Sequence, residues 1–136
     1  MYKYCLNMIK NKYLPTNIII QYLDYMKIDE TFTNCKDEFG NTILIYATLN
    51  KDLNLIKYLI KNGAKTNIKN NNNNLSAILH TENLEIIKYL FLFEKDFKIN
   101  NFIYNKYKED DNFVNYLIYK KNIHKILPLI IKNNFI

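Results

Sequence analysis

The residues that could do chemistry in this chain are few and scattered. His80 and His124 are the only histidines, and they lie far apart in sequence outside any catalytic set. His80 reads as a helix-end residue and His124 as a solvent-facing one. Cys5 and Cys35 are the only thiols, too few for a Cys/His zinc cluster and without a CxxC pair. They read as free, reduced and partly buried in a cytosolic protein, with a single disulfide as the alternative. Glu109, Asp110 and Asp111 form the one acidic cluster. It precedes a helical stretch, where acids complement the helix dipole, and a metal site is the lesser reading. Ser76, the only serine, lacks the strand-turn-helix context of a nucleophile elbow. Gly40 and Gly63 are the only glycines and are too far apart for a phosphate loop. The expectation is a protein that is not an enzyme, with no cofactor and no metal.

The elements around these residues are helical. Leu53, Ile56, Leu59 and Ile60 recur on one face at helical spacing, with Asn54, Lys57 and Lys61 largely opposite. Asn62-Gly63 ends the run as a C-cap signal. The text Leu55-Ile56-Lys57-Tyr58-Leu59-Ile60 returns as Ile86-Ile87-Lys88-Tyr89-Leu90-Phe91. A weaker echo is Ile19-Ile20-Gln21-Tyr22-Leu23, and Ile123, Ile126, Leu129 and Ile130 repeat the spacing once more. Each such helix follows a shorter helical stretch, at about 2–13, 42–50, 75–81 and 112–120. Pro15 suits the first inter-helix turn. Longer polar connections follow at 28–41, 64–74 and 96–111, the second holding the run Asn70 to Asn74, which reads as a lengthened low-complexity loop. The fold expected is an all-α solenoid of about four helix-turn-helix units with atypical end caps: 1–36, 37–69, 70–100 and 101–136, in one domain 1–136. Pro128 interrupts the last unit, where it removes a helical hydrogen bond. The Leu53 face is expected to pack on the Ile20 and Ile87 faces.

Composition qualifies the charge. Asn, Ile, Lys, Tyr and Phe make up 83 of 136 residues, and Arg is absent. These residues have A- and T-rich codons, which points to an AT-rich genome: an intracellular parasite, a large DNA virus or a low-GC bacterium. The net charge of +6 is then partly mutational bias. Arg holds phosphate bidentately, so its absence, with Lys spread evenly, argues against nucleic acid. Two prolines and two glycines are too few for collagen-like or all-β folds. No window of 18 uninterrupted apolar residues exists, and residues 1–14 lack the apolar core of a secretory signal; no membrane span is expected.

Asp37-Glu38-Phe39-Gly40-Asn41-Thr42-Ile43-Leu44-Ile45-Tyr46-Ala47 resembles the opening of an ankyrin repeat, D-x-x-G-x-T-P-L-x-x-A. Gly63-Ala64-Lys65-Thr66-Asn67 resembles its close, G-A-x-x-N. The match covers one unit, 37–69, with Ile43 and Ile45 at the family's Pro and His and Lys51 at its inter-helix Gly. Both glycines and two of the three alanines in the chain fall on family positions. Gly40 admits a sharp turn, Gly63 a positive φ, and Ala47 close helix packing, while Thr42 caps the first helix. Leu44 and Ala64 complete the motif.

The resemblance implies a protein–protein interaction module that works through loop tips and the inner face of the first helices. Its tip residues here are Glu38, Phe39 and Asn41, and its inner-face residues Ile45, Leu49 and Asn50. The next tip lies within 69–73. The partner expected is another protein, the chain a monomer, and the place the cytoplasm, or a host cytoplasm or nucleus for a viral or parasite product. The alternative is a Lys-rich α-solenoid that binds nucleic acid or an acidic surface. Tyr22, Tyr58 and Tyr89 share one helical position and read as a half-buried stack with hydroxyls at the edge, or else as a Tyr-rich binding face.

Overall fold

Periodicity and capping residues divide the first ninety residues into short helices. A computed structural model describes residues 2–71 and 76–93. Helices α1 (Tyr2–Asn11) and α2 (Thr16–Tyr25) form the first pair, and α4 (Ile43–Leu49) and α5 (Leu53–Lys61) the second. Between the pairs lies a single turn of helix, α3 (Glu30–Thr33). A 3-10 turn (Ala77–His80) then precedes α6 (Leu84–Phe91). There is no strand among the described residues. The expected unit 101–136, with His124, Pro128 and the acidic cluster at Glu109, lies outside the described residues. The chain divides between Ile87 and Lys88 into two units. All helices before α6 belong to the first; in the second, the Tyr89 and Phe93 rings meet at 5.2 Å.

Burial follows the packing of each helix. On α1, Cys5, Leu6, Met8 and Ile9 fall on one face and are buried; on α2, Ile19 and Leu23 are. Pro15 precedes α2, where a missing N–H costs nothing. Helix α4 is different: Ile43 to Thr48 are all buried. It touches α1, α5 and the 3-10 turn, so no side of its middle reaches water. On α5 the buried residues are Leu55, Ile56 and Leu59, whereas Leu53 and Ile60 are only half-buried. The stripe is rotated from the expected Leu53 face because α5 packs on both α4 and α2.

Successive helix pairs are tied by side chains. Thr16 donates its hydroxyl to the Asp52 carboxylate, whose other oxygen caps α5 by accepting from Leu55 N at 3.2 Å. Tyr58 donates to Asp24 at 2.7 Å. Burial, then this bond, pushes the Tyr58 phenol up from its ordinary value. Asn34 joins the connecting loops, donating to Gly63 O at 2.9 Å and accepting from Lys65 N at 2.8 Å.

Two elements differ from expectation. The polar connection 28–41 contains α3, which Asp29 caps by accepting from Phe32 N at 2.9 Å. The first helix expected at 75–81 is only a 3-10 turn. Asn83 already caps α6 by accepting from Ile86 N, so the stretch from Ser76 to Asn83 is too short for a helix like α4. Three lysines hold positive φ where a glycine would rest easily: Lys12 (51°), Lys27 (51°) and Lys51 (58°).

Candidate partner-binding surface

The loop before α4 is a tight tip organised by Asp37. One carboxylate oxygen accepts from Phe39 N and Asn41 N, each at 2.9 Å. The other accepts from the Tyr46 hydroxyl. Burial, then this bond, pushes the Tyr46 phenol up. The turn closes through Gly40 N to Asp37 O and Asp37 N to Asn41 O, both 3.0 Å. Gly40 has φ 78°, and a Cβ there would lie 2.6 Å from Asn71 N. Only a residue without a side chain lets the two loops meet this closely. Asn71 N donates to Phe39 O at 2.9 Å, which braces the tip against the next loop.

Phe39 carries the exposed part of this tip. The residue is 41% exposed, with the Lys10 ammonium 5.7 Å from its ring centroid. The same ammonium lies 5.5 Å from the Tyr46 centroid, within cation–π range of both. One cation on α1 thus covers two rings of the next helix pair.

A family model described as ankyrin repeats (3 copies) matches residues 15–103. The chain belongs to the ankyrin-repeat family. No curated protein and no solved structure matches it. Ankyrin repeats are generally protein–protein interaction modules and are typically non-catalytic.

The ankyrin motif residues take the conformations their types suggest. Thr42 has extended φ/ψ and accepts from Ile45 N at 3.4 Å, the long bond of an N-cap. Leu44 and Ala47 are buried, the latter completely. Gly63 has φ 92° after α5, and a Cβ there would meet Glu30 Cβ at 3.0 Å. Ala64 N then donates to Leu59 O at 3.0 Å.

The expected contact residues separate into two groups. Glu38 is exposed, Phe39 is 41% exposed and Leu49 is 47% exposed. Ile45 does not belong with them: at 1% exposure it is a core residue, because α4 is covered by α1, α5 and the 3-10 turn. Asn41 and Asn50 serve the fold. Asn41 Nδ2 donates to the Tyr46 hydroxyl at 3.2 Å, and its Oδ1 is buried. Asn50 Nδ2 reaches back to Ile9 O at 2.6 Å. Lys10, Asp37 and Tyr46 were not among the expected site residues. Asp37 stands in the repeat motif itself, whereas nothing local to Lys10 signals its place over Phe39.

Other groups weighed for chemistry are dispersed. Cys5 and Cys35 are free, with Cys35 Sγ donating to Thr31 O. His80 ends the 3-10 turn and meets Asn70 at 3.4 Å. Among the described residues no three His, Cys, Asp or Glu side chains converge as metal ligands. No helix there is long and apolar enough to cross a membrane. Tyr22, Tyr58 and Tyr89 are all half-buried, but Tyr22 meets Tyr4 while Tyr58 bonds Asp24.

Proposed function

We propose that this chain is a non-catalytic protein–protein interaction module. It engages a partner protein through the 37–41 tip and the exposed positions of the first helices. Glu38, Phe39 and Leu49 make the contact, with Lys10 beside them. The setting proposed with it is the cytoplasm, and the state a monomer. The observation that carries the reading is Phe39. The tip is held by main-chain bonds to Asp37 and Asn71, none of which needs an aromatic side chain. An aromatic ring on a braced support loses little freedom on binding, and aromatics are enriched at interface cores.

The test is titration of a partner captured with the purified chain. Phe39→Ala is expected to weaken binding by about 1–2 kcal/mol, roughly five- to thirty-fold, with little change in melting temperature. Unchanged affinity, or a collapse in melting temperature, would remove Phe39 as the recognition residue. A captured nucleic acid released between roughly 50 and 200 mM salt would replace this reading with the electrostatic one.

A further inference from the structure

Beside the Phe39 tip a shallow, wide-open cleft of about 670 Å³ is lined by Lys36, Asn67, Ile68, Lys69, Asn70 and Asn71. These lining residues include two lysines and three asparagines but no Asp or Glu. Asp37, next to Lys36, is turned into the tip and is consumed there by Phe39 N, Asn41 N and Tyr46. Lys36 Nζ donates to Lys69 O at 3.1 Å, so its ammonium is drawn across to the facing loop with donors to spare. Neither Lys36 nor Lys69 pairs with an acid among the described residues, whereas Lys65 pairs with Glu30 at 3.6 Å. Two lysines on an open cleft with no acid among its lining residues make a field that an anion complements.

We propose that this cleft receives the carboxylates of an acidic segment of the partner protein. The proposal rests on the protein-interaction reading and names the chemistry of that partner. Asn71 links the two features, since it lines the cleft and its N–H holds Phe39 O. A segment lying along the tip therefore reaches the cleft within a few residues. The anion is taken to be a protein carboxylate because ankyrin repeats are generally protein–protein interaction modules, and lysines complement the carboxylates of a partner segment.

The experiment is fluorescence anisotropy on the full chain with three labelled probes. They are a short peptide of alternating Glu and Ser with a central Leu, its Gln counterpart, and a single-stranded oligodeoxynucleotide of equal charge. The Glu peptide is expected to bind at least roughly tenfold tighter than the Gln peptide and tighter than the oligonucleotide. Lys36→Gln with Lys69→Gln is expected to cost at least roughly tenfold in Glu-peptide affinity. Lys12→Gln with Lys51→Gln, which removes the same charge at the inter-helix turns, should cost less than about threefold, by screening. Lys69→Gln alone, whose ammonium makes no bond among the described residues, keeps the test readable if loss of Lys36 disturbs the loops. Absence of Glu-peptide binding, equal losses in both double variants, or tighter oligonucleotide binding through the same pair each overturns the proposal. With a captured partner, a loss from Phe39→Ala but none from the Lys pair sinks the acidic cleft and leaves the tip reading standing. A loss from neither sinks both.

Discussion

Replacing Gly40 by Ala tests whether two successive repeats are locked at their tips. Gly40 sits at φ 78°, a region that costs an L-residue about 1–2 kcal/mol. The added methyl would also stand 2.6 Å from both Asn71 N and Asn71 Oδ1. The first of these is main chain, so the loop must move and a rotamer change does not relieve the clash. That movement stretches the 2.9 Å bond from Asn71 N to Phe39 O, worth about 0.5–1.5 kcal/mol. Together these predict a loss of about 2–3 kcal/mol. In urea denaturation, with a slope of about 1–2 kcal/mol per molar, the midpoint should fall by roughly 1–3 M. A second variant locates the cost. Asn71→Gly in the Gly40→Ala background removes Oδ1 but keeps the main-chain contact, so it should restore only a small part of the loss. A midpoint within about 0.2 M of the parent would refute the reasoning. Full restoration by Asn71→Gly would show that the side chain, and not the approach of two backbones, sets the requirement for glycine.

Two further outcomes follow from the same geometry. Lys51 holds φ 58°, so Lys51→Gly should raise stability by about 0.5–1 kcal/mol and move the thermal midpoint up; a lower midpoint would mean the turn does not strain its lysine. Tyr58→Phe removes the bond to Asp24 and should cost about 1–2 kcal/mol at neutral pH. Burial and Asp24 raise the folded Tyr58 phenol above its ordinary value of 10.0. Its stabilisation is therefore complete below pH 10 and is lost as pH rises above it, because the unfolded phenol ionises first. The parent should lose stability faster than Tyr58→Phe above pH 10, and parallel curves would contradict this assignment.

Residues one turn apart show where the reading of the sequence succeeded and where it stopped. Leu49 and Ile45 both lie on α4, yet Leu49 is exposed and Ile45 is core. A seven-residue helix covered from three directions shows no amphipathic stripe, so nothing in its own text separates the two. Asn50 looked free to meet a partner because its acceptor, Ile9 O, belongs to another helix pair. The third pair kept its Leu84–Phe91 helix, whose spacing is plain, but lost the preceding helix to a shortened stretch ending at Asn83.

By itself the sequence determined the repeat, its helical class, and the positions that local backbone chemistry demands. Gly40, Thr42, Gly63 and the Asn62-Gly63 stop are legible because φ, capping and turn geometry depend on a few adjacent residues. Tertiary structure alone decided which side chains remain available. Lys10 over Phe39, Asn71 against Gly40, and Lys36 across to Lys69 join residues separated by about one repeat or nearly so. A solenoid buries its core between neighbours, so the exposure of a residue is set by the adjoining repeats as well as by its own.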